Sequence, residues 1–165
     1  MSDAIAELLS VHTPDILGAP FGVRLIGSVR RDVNDGITIP DMPGLMAGMT
    51  MARLWRDERL SGDELRFVRK SAGVTRKQLE ISFGGSDGDV EAYEKGPRPM
   101  TIGLEKYIRL HLFDAARRID GPRVEEMIEY MEWMFETWKP TFGDTSRPLT
   151  ISLRHSPGGW QDLKD

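Results

Sequence analysis

Residues 61–96 read SGDELRFVRKSAGVTRKQLEISFGGSDGDVEAYEKG, and three helix signals follow one another along them. Ser61 and Glu64 form a capping-box pair: the hydroxyl accepts from the Glu64 N–H while the carboxylate accepts from the Ser61 N–H. They start a helix that turns Leu65 and Val68 inward and that Gly73 ends. Thr75 and Gln78 repeat the capping box for a second helix, which buries Leu79 and Phe83. Gly84 and Gly85 make a tight turn, and Ser86 is placed to cap a third helix with Val90 and Tyr93 inward; Gly96 and Pro97 stop it.

A longer helix followed by two short ones across a glycine turn is the arrangement that sets a recognition helix in the DNA major groove. Upstream of it, Val23, Leu25, Val29 and Val33 alternate onto one face, Asn34-Asp35-Gly36 signals a turn, and Ile37-Thr38-Ile39 returns as a second strand. Pro43 then opens a helix whose Leu45, Met49 and Ala52 share a side. Downstream, Val124, Met127, Ile128, Met131, Met134, Phe135 and Trp138 follow a helical repeat between Pro122 and Trp138, with five glutamates at other positions. This face reads either as packing on its own domain or as the seam of a dimer. Thr150 to His155 is a β-type run expected to join the N-terminal strands.

The 165 residues carry a net charge of −4, yet the middle of the chain is positive. Residues 61–118 hold 11 Lys/Arg against 9 Asp/Glu, while residues 1–60 hold 6 against 8 and residues 119–165 hold 5 against 9. Phosphate binding depends on where cations sit, so a local excess permits a nucleic-acid role that the overall charge conceals. The chain has no cysteine, which excludes disulfides, thiolate metal sites and cysteine catalysis. No apolar run is long enough for a membrane span, and the opening residues lack the pattern of a signal peptide, so a cytoplasmic location is expected.

The stretch from Ser61 to Gly96 resembles the Cro/repressor-type, XRE-like helix-turn-helix. More closely, Phe83-Gly84-Gly85 followed by Tyr93-Glu94-Lys95-Gly96 is similar to the DNA-binding half of MqsA-type antitoxins, as are Ile39 to Leu45 and Leu60 to Lys70 upstream. The likeness covers roughly residues 37–115. It implies a regulator of transcription that binds operator DNA, with phosphate contacts at the start of the second helix (Thr75, Arg76, Lys77) and after the third (Lys95, Arg98). Base reading would fall to Ser86, Asp87, Gly88 and Glu91. It also implies an ion pair between Arg69 and Glu94 that ties the first helix to the end of the third and fixes geometry more than it adds stability. A homodimer and a partner protein such as a toxin belong to the same expectation.

The chain departs from that family in two respects. Where MqsA-type proteins present a polar amide and an arginine, Gly88 and Ala92 stand here, and Asp87, Asp89 and Glu91 bring three acids toward a polyanion. Bidentate guanine recognition is then unavailable, leaving acceptance from cytosine N4 as the route for a carboxylate. The cysteine-ligated zinc domain that such antitoxins carry ahead of this module has no counterpart in a cysteine-free chain. A degenerate helix-turn-helix that docks a basic protein instead of DNA is therefore the alternative. His12, His111 and His155 share no ligand spacing, Gly84-Gly85 lacks the lysine of a phosphate loop, and no serine sits in a nucleophile elbow. No metal, cofactor or enzymatic activity is expected.

The expected architecture is mainly α: a helix-turn-helix bundle with a small β element formed by the N- and C-terminal flanks. Residues 1–60 form an extension with a hairpin and helix, 61–118 the DNA-binding domain, and 119–165 an amphipathic helix and strand suited to dimerisation.

Overall fold

Two β-rich flanks enclose a helical middle. The computed structural model describes residues 9–12, 18–31, 34, 36–96, 98–119, 124–140 and 149–164; expectations that rest on Val33, Asp35, Pro97 and Pro122 lie outside them. Strands β1 (Leu9–His12), β2 (Gly22–Arg31) and β3 (Ile37–Thr38) precede helices α1 (Met42–Leu54), α2 (Gly62–Ser71), α3 (Arg76–Phe83), α4 (Asp89–Glu94), α5 (Ile102–Ile119) and α6 (Val124–Glu132). A π turn over Trp133–Thr137 continues α6, and β4 (Thr150–Ser156) and β5 (Gly159–Asp162) follow. The chain is thus mainly α, with one small sheet drawn from both flanks.

The sheet runs β1-β2-β4-β5, with β3 on the end of β2. The expected return of Ile37-Thr38 is present, antiparallel to Arg30 and Arg31. Thr150 to His155 also joins as expected, lying parallel to β2 with Val23 beside Ile151 and Leu25 beside Leu153. Alternation puts Val23, Leu25, Val29, Ile151 and Leu153 on one wholly buried face. Between the Val11–Leu25 and Leu9–Val29 pairs, β2 spends four residues where β1 spends two. The excess is even, so Leu25 and Val29 stay on the same side.

Helix α1 covers that face. Its first turn is set by Pro43 and by Asp41, whose carboxylate accepts from the Gly44 N–H at 3.1 Å. Leu45, Met49 and Ala52 are buried as their spacing predicts. Gly48 lets the helix approach β5: a Cβ there would lie 3.1 Å from the Trp160 Cβ. The Trp160 indole N–H donates to the Asp41 carbonyl at 3.2 Å, joining sheet and helix start.

Past α1 the chain turns irregularly through residues 55–60, and its carbonyls need donors. Two buried guanidinium groups supply them. Arg53 donates to the Glu58 and Arg59 carbonyls and, through Nε and Nη2, to both oxygens of Glu64 at 2.9 Å. Arg109 of α5 donates to the carbonyls of Leu54, Arg56 and Glu58 and to Glu105. Glu105 is itself fully buried and also accepts from Arg59 and from the Leu60 N–H. Tyr130 stacks on Phe113 with ring centres 4.0 Å apart and donates to the Leu54 carbonyl; burial pushes its phenol pKa up.

These contacts give stability an acid limb. Burial alone would raise the Glu64 pKa, but the hydrogen bonds and charge of Arg53, with the Ser61 bonds, outweigh it and hold the carboxyl below its ordinary 4.5. A group depressed in the folded state stabilises above its unfolded pKa and loses that contribution as pH falls through the folded value. Urea unfolding midpoints of Glu64→Gln should therefore fall short of the unaltered protein at pH 7, and the gap should narrow as pH falls below the ordinary 4.5 and through the lowered folded value. A gap that persists unchanged into acid would refute the assignment.

The α6 face divides in two. Met134 and Trp138 are buried, together with Tyr130, whereas Val124, Ile128, Met131 and Phe135 are exposed. Periodicity predicted a face but not what covers it. The π turn, closed by the Trp138 N–H on the Trp133 carbonyl at 2.8 Å, adds a residue to the last turn and brings Trp138 round to the Asp57 carbonyl.

Candidate nucleic-acid interface

Helices α2, α3 and α4 form a tight cluster around Leu65, Val68, Leu79 and Val90, none of which reaches solvent. Both capping boxes are present. Ser61 and Glu64 exchange hydrogen bonds at 3.2 and 2.8 Å, and Thr75 and Gln78 do so at 3.1 and 2.8 Å. Gly73 and Gly84 take up positive φ just past α2 and α3. Phe83 is half-buried against the core rather than fully enclosed.

The start of the third helix differs from expectation. Ser86 does not cap it: α4 begins at Asp89 behind Gly88, whose φ of 91° suits glycine and whose lack of a side chain leaves the helix without a local cap. The cap comes from another helix. Glu80 of α3, almost fully buried, accepts at Oε1 from the N–H groups of Gly88 at 3.0 Å and Val90 at 3.1 Å. A carboxylate there meets both the free N–H groups and the positive end of the helix. Ser86 is instead a turn residue whose N–H donates to Asp89 at 2.8 Å.

Arg69 and Glu94 make the expected pair, Nε to Oε1 at 2.5 Å, and Arg69 also donates to the Val74 carbonyl. Both are buried, so the pair locks α2 to the end of α4. Arg76 shares it, donating to the second Glu94 oxygen at 2.8 Å and lying 3.6 Å from Glu91. The hydrogen bond to Glu94 raises the Arg76 pKa, so its charge is held firmly.

The charges of the residues expected at the DNA surface are largely spent on neighbouring side chains. Ser86, Asp87 and Gly88 are exposed. Lys95 pairs with Glu91 at 2.5 Å one helical turn away, and Arg98 pairs with Asp89 at 2.9 Å. The Lys95 hydrogen bond, then the Lys95 and Arg76 charges, lower the Glu91 pKa. The Thr75 hydroxyl is engaged in its cap. Of the four cations expected to touch phosphate, Lys77 alone makes no ion pair among the described residues.

A cationic groove that spacing did not reveal lies beside Lys77. Arg66 and Lys70, one turn apart on the exposed side of α2, face the start of α3 across a cleft of about 600 Å³ that Val74 and Thr75 also line. Neither forms an ion pair among the described residues. In sequence they look like ordinary surface cations of a helix. The one sign available was their four-residue spacing opposite Arg76 and Lys77.

No group of three or more His, Asp or Glu is arranged to hold a metal among the described residues. His111 stacks on Tyr107 and His155 lies by Trp160, in separate parts of the fold. No described helix is long and apolar enough to cross a membrane.

No protein-family model matches the sequence, and no solved structure matches the fold. The GTPase Obg of Synechococcus sp. (strain WH7803) is similar to this chain at 28% identity over 133 residues, which cover 78% of the chain and 38% of that protein. The chain therefore spans well under half the length of that relative.

Proposed function

We propose that this chain is a helix-turn-helix regulator, antitoxin-like in organisation, that binds operator DNA as a homodimer in the cytoplasm and represses transcription. The observation that carries the reading is one juxtaposition: the exposed residues Ser86, Asp87 and Gly88 lead into α4, whose Glu91 lies 3.6 Å from Arg76, and Arg76 lines a groove with three cations that form no ion pair among the described residues, Arg66, Lys70 and Lys77. The groove suits a phosphate strand, and the start of α3, where a helix carries partial positive charge, lines it. The pairs Lys95–Glu91 and Arg98–Asp89 are solvent-exposed, and such pairs contribute about 0–1 kcal/mol, so phosphate can compete for both cations. In a dimer the two α4 helices would enter successive major grooves roughly 34 Å apart. The exposed stripe of Val124, Ile128, Met131 and Phe135 is the surface available for pairing or for a toxin-like partner.

The second reading, a protein-docking module on the same scaffold, draws on the three acids of the 86–91 segment and the cations they neutralise. We do not extend the proposal to GTP hydrolysis, because the likeness covers a minor part of that GTPase and the sequence has no Gly-x-x-x-x-Gly-Lys-Ser/Thr loop.

Footprinting on DNA upstream of the protein's own gene should show protection of a two-fold-related site. The triple variant Arg66→Glu/Lys70→Glu/Lys77→Glu should fold normally and lose that protection. Substituting the same three by Gln should lower the slope of log affinity against log salt by about 0.9 for each lost contact. Failure of the unaltered protein to protect any such fragment at low salt would sink the regulator reading in favour of the docking module.

A further inference from the structure

We propose that the cleft between α1, α6 and β5 is a binding site for an alkylammonium group, the chemistry shared by free polyamines and lysine side chains, and that Lys164, which lines the cleft, covers its Trp55 face in the unliganded protein. The inference does not depend on DNA binding. The cleft has a volume of about 490 Å³, and its walls combine two tryptophans, Trp55 and the largely buried Trp160, with three carboxylates. Trp55 supplies the face. Its ring is wedged among Tyr130 and Trp133, each 5.1 Å away between ring centres, and Phe113 at 6.2 Å, which fix its orientation.

The Lys164 Nζ sits 4.2 Å from the centre of the Trp55 ring, well inside the range of a cation–π contact. Lys164 lies two residues past β5 and is itself exposed, so its ammonium is held by the ring face and not by enclosure. An internal side chain thus already demonstrates which chemistry the cleft accepts.

The remaining walls favour more positive charge than Lys164 brings. Asp162 is satisfied by a bidentate bond from Arg56, at 2.8 and 3.0 Å. Glu129, on α6, adds a further carboxylate. Glu129 is exposed and makes no ion pair among the described residues. A ligand with one ammonium over Trp55 and a second beside Glu129 would match the site better than a single lysine does. An anion would meet the wrong sign, and an uncharged diol would forfeit both contacts.

Isothermal titration calorimetry on the full chain at low salt tests this with three probes: spermidine, Nα-acetyl-lysine amide and an uncharged diol of matching length. Saturable one-to-one binding of an amine, with none of the diol, is expected. The tighter of the two amines identifies the source as a free polyamine or a partner's lysine. Lys164→Gln should bind about two- to five-fold tighter, because the internal competitor is gone, and Glu129→Gln should bind more weakly. In the unaltered protein the Lys164 ε-methylene protons, shielded by the Trp55 ring, should move to their ordinary resonance positions as amine is added. The proposal is overturned if neither amine gives saturable heat, or if Lys164→Gln leaves the affinity unchanged. An equal loss in Glu125→Gln, outside the cleft, would also overturn it by showing diffuse attraction.

Discussion

Arg109→Met should destabilise the protein by about 3–5 kcal/mol, measured by urea unfolding at neutral pH. The guanidinium is fully buried and donates to the carbonyls of Leu54, Arg56 and Glu58, and Arg59 alone would remain to neutralise Glu105. It also lies 4.7 Å from the Trp138 ring. Burial lowers the Arg109 pKa, and the neighbouring Tyr130 and Glu105 oppose that shift. The methionine keeps the volume and removes every donor: Leu54 and Glu58 keep Tyr130 and Arg53 as second donors, the Arg56 carbonyl keeps none among the described residues, and Glu105 loses one of its two guanidinium partners. Arg109→Lys should recover little, since an ammonium cannot reproduce a planar fork with several donors. A loss below about 1 kcal/mol for Arg109→Met would show that the 55–60 connection is held by its own packing instead.

Glu80→Ala should cost about 2–3 kcal/mol and should act on one helix in particular. Its carboxylate is the sole side-chain cap on α4 among the described residues, bridging the N–H groups of Gly88 and Val90. Without it, amide exchange from Val90 to Glu94 should accelerate more than exchange in α5. Glu80→Gln, which keeps an acceptor but not the charge, should fall between. Because α4 carries the surface proposed to meet DNA, promoter affinity should drop in parallel with the loss of protection. Uniform acceleration across all helices would mean that Glu80 supports the fold as a whole and not the placement of α4.

The parts of this architecture that could be read from the chain are those governed by short spacing. Ser61–Glu64 and Thr75–Gln78 are local exchanges across three residues, and both appear as expected. The alternation of Val23, Leu25 and Val29 needed only a two-residue period to announce a strand. Glu80 was invisible for the opposite reason: it caps a helix that starts nine residues later, across a turn whose geometry Gly84 and Gly88 set. Ser86, the residue with the familiar capping chemistry, lost that place because Gly88 at positive φ starts the helix later than composition suggests. Arg109 looked like one more cation on a helix, since nothing nearby in sequence shows that the 55–60 backbone passes beneath it. In the candidate interface the Arg69–Glu94 pair was legible through family likeness, whereas the groove of Arg66 and Lys70 required knowing which side of α2 faces α3. The Lys95–Glu91 pairing lay open in a four-residue spacing. Arg98–Asp89 did not, because it bends back around the end of α4.

The parallel contact between β2 and β4 also sets an order of events during synthesis. Val23 is made early and its neighbour Ile151 late, with every described helix produced between them. While the chain is emerging, the side of β2 that β4 will occupy is an open edge, and its apolar residues lack their final cover. The helical cluster, whose contacts are nearer in sequence, can assemble meanwhile, so the β2–β4 pairing is expected to close last, and until then that edge of β2 is open to pairing with another chain.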